Sequence, residues 1–139
     1  GLAKHMLGVV TIERLEELAR QGNLRHVDLT VRDIAGGPIG DLDPATTAAN
    51  FGKVGADATQ EDKALAIMNM IVESIGVLAI ASARACGQEN IVLTGKLSRL
   101  FRFVQEAKRL AFPFGRRFLI PEHADYATAI GAARTAQKD

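Results

Sequence analysis

The segment from Thr59 to Gly87 limits the folds open to this chain more than any other. Thr59 can cap a helix and Asp62 stands at capping-box spacing. The apolar residues that follow carry the helix on for about thirty positions in all, about 40 Å at 1.5 Å per residue. Leu65, Ile67, Met68, Ile71, Ile75, Leu78 and Ile80 surround nearly its whole circumference, so protein must cover both sides, one of them as a candidate for a second subunit. Ala64 to Ala85 is long enough to suggest a membrane span, but Asn69, Glu73, Ser74, Ser82 and Arg84 interrupt it, which favours a buried helix. Glu73 and Arg84 return to nearly one stripe, with Asn69 close by. An exposed edge or paired buried polar groups is the simpler reading of them, beside a catalytic one.

A chain of 139 residues is one ordinary domain, able to bury roughly two thirds of the surface its unfolded form exposes. Hydrophobic residues at 47% and charged residues at 24% give a globular balance with no low-complexity tract. Seventeen basic against sixteen acidic residues leave a net charge of +1, which gives no reason to expect a nucleic-acid or membrane surface. Cys86 is the only cysteine, so an intrachain disulfide and a thiolate metal cluster are both excluded and a reducing, cytoplasmic setting is expected. Its apolar neighbours predict that Cys86 is in the core. Gly1-Leu2-Ala3-Lys4-His5 reads as the middle of a polypeptide, and part of the natural protein is expected to precede it.

Leu2 to Leu7 suits a first helix stopped near Gly8; Thr11 announces a second, with Ile12, Leu15 and Leu18 at helical spacing, ending near Gly22-Asn23. Glu13, Arg14, Glu16 and Glu17 form its wet side. Val27-Asp28-Leu29-Thr30-Val31 alternates as a half-buried strand does, although Val31 and Ile34 also permit a helical turn. From Gly36 to about Ala58 the residues predict a long loop, and loops of that length are often functional. Within it, Thr46 to Lys53 combines small residues with Asn50, Phe51 and Gly52. Two readings stand: a plug into the core, or a substrate-contacting loop.

Ile91-Val92-Leu93-Thr94 predicts a strand that ends on Gly95 and turns directly into a helix from about Leu97 to Ala111. Ligands dock at such junctions because the helix start offers backbone N–H groups and the glycine admits close approach. The alternatives are a nucleotide or phosphate site and a plain tight turn. Arg99, Arg102, Lys108 and Arg109 mark a basic face, solvated or in contact with an anion. Pro113-Phe114-Gly115 turns the chain into a last strand over Arg117 to Pro121, and a final helix is predicted from Asp125 to about Gln137, with small residues that allow a close neighbour. Glu122, His123 and Asp125 are better explained by that helix start than by a metal. The second half therefore alternates helix and strand, as in an α/β fold with a small sheet covered by helices and one long central helix. No Walker loop, GxGxxG strand turn or nucleophile elbow is present.

Five stretches taken in order resemble the C-terminal half of type II, eukaryotic-like pantothenate kinases: Gly1-Leu2, Val27 to Ile34, Thr47 to Gly52, Glu89 to Gly95, and Tyr126 to Ala132. The resemblance implies the actin-like, ribonuclease H-like fold of sugar kinases and acetate kinase, and transfer of the γ-phosphate of ATP, with Mg²⁺, to pantothenate in the first step of coenzyme A synthesis. It implies that Thr94, Gly95 and Lys96 wall the adenosine, with Lys96 standing where bacterial members carry serine. Ile12 stands where they place an aromatic beside the nucleotide. Asn50, Phe51 and Gly52 match the segment near the pantothenate pocket, and the long helix matches a homodimer helix.

In that family the DxGxT-type phosphate loop, the carboxylate proton acceptor and the GGGT segment precede the position matching Gly1. Phosphoryl transfer is mostly positioning and charge stabilisation, so the resemblance assigns this chain no catalytic residue and no metal ligand, and expects it to be inactive alone. Two other readings stand beside it. One is an ATPase-type activator of reductases or dehydratases, whose relatives bridge an iron-sulfur cluster with cysteines. The other is a non-catalytic dimerisation or regulatory module.

Overall fold

Side-chain caps start several of the helices in the computed structural model of the chain, which describes residues 1–40 and 42–136, with the backbone alone at Phe112. Two compact units divide it, Gly1–Met70 and Ile71–Asp139, and the boundary falls inside the long helix. In the first unit, α1 (Leu2–Leu7) stops at Gly8. Helix α2 (Ile12–Ala19) starts where the Thr11 hydroxyl accepts the Arg14 N–H, and buries Leu15, Leu18 and Ala19. It ends short of the predicted Gly22 because Gln21 and Gly22 donate instead to the carbonyls three residues back, Leu18 and Ala19. Glu16, expected on the wet side, is buried.

The strand predicted over residues 27–31 is only β1 (Leu29–Thr30), and α3 (Val31–Ala35) follows at once. The cause is a capping box: the Thr30 hydroxyl accepts the Asp33 N–H while the Asp33 carboxylate accepts the Thr30 N–H. That local pair overrides the alternation of the sequence. The predicted long loop contains a strand, β2 (Thr47–Ala49), which pairs antiparallel with β1, Leu29 opposite Ala49 and Thr30 opposite Thr47.

Helix α4 (Gln60–Ala85) starts where predicted and, at 26 residues, stops two residues short of the expected end at Gly87. Asp62 is its anchor. The Thr59 hydroxyl accepts the Asp62 N–H at 3.1 Å, and Asp62 Oδ2 accepts the Thr59 N–H at 3.1 Å. Its Oδ1 accepts the Asn23 N–H at 2.7 Å, and Oδ2 lies 2.9 Å from His26 Nδ1. Burial alone would raise this carboxyl, but the bonds from Asn23, His26 and Thr59 outweigh it and hold the pKa down at about 2. Residues Ala64 to Asn69 are all buried, whereas Ile75, Val77 and Leu78 are exposed. Among the described residues α4 is the one helix long and apolar enough to cross a membrane, but half of its most apolar window is buried inside the protein, as in a core helix.

The second unit holds β3 (Asn90–Val92) and β4 (Arg117–Leu119), parallel, with Ile91 opposite Phe118 and Val92 opposite Leu119. Phe118 points into the core while Val92 and Leu119 are exposed. Helix α5 (Phe101–Ala111) buries Phe103, Ala107 and Ala111. Helix α6 (Ala127–Ala136) follows a short 3-10 turn at Ala124–Tyr126. The predicted end of that helix, Gln137, lies outside the described residues. The small residues of α6, expected against a close neighbour, include none that is buried. The architecture is mixed α/β, with two-stranded sheets and a long helix central in the chain.

Candidate functional site

In the first unit the turn after β2 carries Asn50, Phe51 and Gly52, and the strand pairing explains its shape. Gly52 packs so tightly that an added Cβ would lie 2.7 Å from Leu29 Cβ and 3.0 Å from Ala49 Cβ. Phe51 adopts a left-handed φ of 57°, costly for a bulky residue. Its N–H donates to Asp28 Oδ1 at 2.9 Å, and the Lys53 N–H donates to the Val27 carbonyl at 3.0 Å. The Phe51 ring packs against the core of Val27, Ala58 and Ala66, as the plug reading expects. Lys53 Nζ reaches Asp33 Oδ2 at 2.6 Å, tying the turn to α3. The Lys53 ammonium, then the Thr30 hydroxyl and N–H, hold the Asp33 carboxyl far below the usual carboxylate range.

The sequence offers Asn69 as a paired buried polar group but does not point to Asp28 or to the tie of either residue to this turn. Asp28 and Asn69 are both buried, and Asn69 Nδ2 donates to Asp28 Oδ2 at 3.0 Å and to Thr47 Oγ1 at 3.3 Å. The signal available was a polar residue in each of two apolar stretches; what pairs them is a tertiary contact across 41 positions. Of the polar residues expected on one stripe of α4, Asn69 is thus a paired buried group and Arg84 is exposed.

In the second unit, the strand predicted to end at Thr94 ends at Val92, and Gly95 opens a 3-10 turn, Lys96–Arg99, in place of the α-helix predicted from Leu97. Leu100 breaks the helix: it is extended, with φ −81° and ψ 117°, and buried. The α-helix start expected at this junction, with its free N–H groups, is therefore replaced by a 3-10 turn, and α5 starts beyond the break. Gly95 has φ 90°, a conformation for glycine alone, and a Cβ there would meet nothing within 4 Å. Its N–H donates to the Ala124 carbonyl at 2.8 Å, and its carbonyl accepts from the Ser98 hydroxyl at 2.7 Å. Arg99 pairs with Asp125 at 3.3 Å, so this part of the basic face is partly neutralised. Thr94 and Lys96 are exposed, and Lys96 is in no ion pair among the described residues.

Ile12 opens α2 in the first unit and is 37% exposed, so its side chain is available to a partner. The structure thus gathers Asn50, Phe51 and Gly52 in one unit and Thr94, Gly95 and Lys96 in the other. Cys86 is exposed, not in the core, because α4 ends at Ala85. Among the described residues no three His, Cys, Asp or Glu side chains are grouped to hold a metal.

Fold and junction together define a mixed α/β protein in which a short strand, β3, is followed at Gly95 by a tight, basic turn. Comparison with known proteins gives the class a family: residues 1–134 match the model of the family described as Fumble. The chain is 31% identical over 141 residues to a type II pantothenate kinase of Oceanobacillus iheyensis, covering 95% of this chain and 52% of that one. It is 37% identical over 102 residues to pantothenate kinase 1 of Oryza sativa subsp. japonica, covering 68% and 15%. With pantothenate kinase 1 of Arabidopsis thaliana it shares 30% over 146 residues, covering 95% and 38%. This chain belongs to the Fumble family, that of the type II pantothenate kinases. It spans about half the length of the first of these relatives and less of the other two.

Proposed function

We propose that this chain is the adenosine-side, C-terminal half of an ATP-dependent pantothenate kinase of actin-like fold, which forms 4'-phosphopantothenate in the cytoplasm. The observation that carries this reading is the family match over residues 1–134. Thr94, Gly95 and Lys96 wall the adenosine and phosphates in this proposal: the open space over the Gly95 Cα and the exposed Lys96 ammonium, in no ion pair among the described residues, suit a polyanionic nucleotide. Ile12 packs on the base, and the turn at Asn50, Phe51 and Gly52 borders pantothenate. The proposal assigns no Mg²⁺ ligand and no general base to this chain; both belong with a phosphate-binding half. The exposed stripe of Ile75, Val77 and Leu78 on α4 forms a homodimer seam.

The test is a coupled ADP assay on the full-length gene product, titrating ATP and pantothenate. Pantothenate-dependent ADP release is expected, and its absence from a folded protein rejects the reading. Against an iron-sulfur activator stands that Cys86 is the one cysteine of the sequence; it is exposed, so burial is no argument there. The family match also disfavours that alternative.

A further inference from the structure

We infer that Asp28 and Asn69 are positioning residues for the turn at Asn50, Phe51 and Gly52, a role that rests on the reading of that turn as the border of the pantothenate site. Asp28 is 0% exposed and Asn69 1% exposed. They form one connected set: Phe51 N–H to Asp28 Oδ1 at 2.9 Å, Asn69 Nδ2 to Asp28 Oδ2 at 3.0 Å, and Asn69 Nδ2 to Thr47 Oγ1 at 3.3 Å. One amide of α4 thus holds the start of β2 through Thr47, and through Asp28 the turn that follows it.

Two features indicate that this set serves more than stability. Phe51 is held at φ 57°, where a glycine would rest without strain. Asn69 Oδ1 is buried with no hydrogen-bond partner among the described residues, a state that an apolar residue of similar size would avoid. Both unfavourable states bear on the same short turn, the place where Gly52 also excludes any larger side chain. Strain that surrounding structure must over-determine collects where geometry matters to a ligand. The Asp28 carboxylate fixes the Phe51 N–H, and Asn69 fixes the carboxylate; neither residue need touch substrate.

The variants Asn69→Ala and the milder Thr47→Val test this, the second retaining the bond from Asn69 to Asp28. In the 139-residue chain, amide hydrogen exchange at Phe51 should quicken about tenfold in Asn69→Ala, with Leu15 and Leu18 of α2 unchanged. In the full-length gene product, KM for pantothenate should rise about fivefold while kcat and KM for ATP hold within about twofold. Thr47→Val should move both readouts in the same direction by less, and it decides the matter if Asn69→Ala does not fold. Unchanged Phe51 exchange, equal quickening in α2, or a parallel rise in both KM values overturns the inference. If the wild-type protein fails to phosphorylate pantothenate, the functional reading fails first. Phe51 exchange then still decides whether Asp28 and Asn69 hold the turn.

Discussion

Asp62 shows how much one side chain settles in this chain. Its two oxygens accept from Asn23 and Thr59 and meet the His26 ring, and the carboxyl is held at about 2 against an ordinary 3.8. The unfolded chain takes up this proton near 3.8, the folded one only near 2. The bonded carboxylate therefore stabilises the fold fully above the upper value and progressively less as pH falls toward the lower. Asp33, lowered further by Lys53 and Thr30, acts in the same direction at still lower pH. Urea unfolding followed between pH 2 and 7 should show stability falling below about pH 4, and Asp62→Asn should flatten that fall while losing about 1 kcal/mol at neutral pH. A wild-type curve that stays level across this range would remove the role given to Asp62.

At the scale of elements, Gly95 is the sharper test of the junction. Its Cβ space is open, so Gly95→Ala has no packing cost, only the cost of about 1–3 kcal/mol of a positive φ with extended ψ. Thermal melts should register that loss, and the ATP KM should rise with it; an unchanged ATP KM would place adenosine elsewhere. The sequence locates α1, α2, α4 and α6 and the end of α5; of these, α2 and α4 have starts announced by local caps, Thr11 for the one and Thr59 with Asp62 for the other. Strand β1 is shorter than the alternation predicts because the Thr30 and Asp33 box starts α3 at Val31, the helical turn that Val31 and Ile34 permit. The break at Leu100 follows from its burial, and the pairing of Asp28 with Asn69 follows from tertiary approach. Neither is written in any short window. For the same reason the glycine and small-residue turn at 50–52 is legible as a candidate and Asn69 as a paired buried polar group, while the tie of Asn69 to Asp28 beneath that turn is not.

For the whole molecule, the exposed apolar stripe of α4 is the feature that most needs a partner. Leu78 is 70% exposed, Val77 55% and Ile75 41%, on a helix whose residues Ala64 to Asn69 are all buried. Sedimentation should find the protein dimeric and Leu78→Glu monomeric, since a charge there would be buried in the seam. A monomeric wild type would remove the dimer from the proposal. The Asp62 anchor also carries an order of events for folding. Its bond with Thr59 spans three residues and can close as the first turn of α4 forms, whereas those with His26 and Asn23 must wait for loops of 36 and 39 positions. Thr59→Ala should then slow refolding, while His26→Ala should chiefly hasten unfolding, a contrast that stopped-flow kinetics can read. The same carboxylate would serve first as the nucleation point of the long helix and later as the latch that secures the turn ahead of β1.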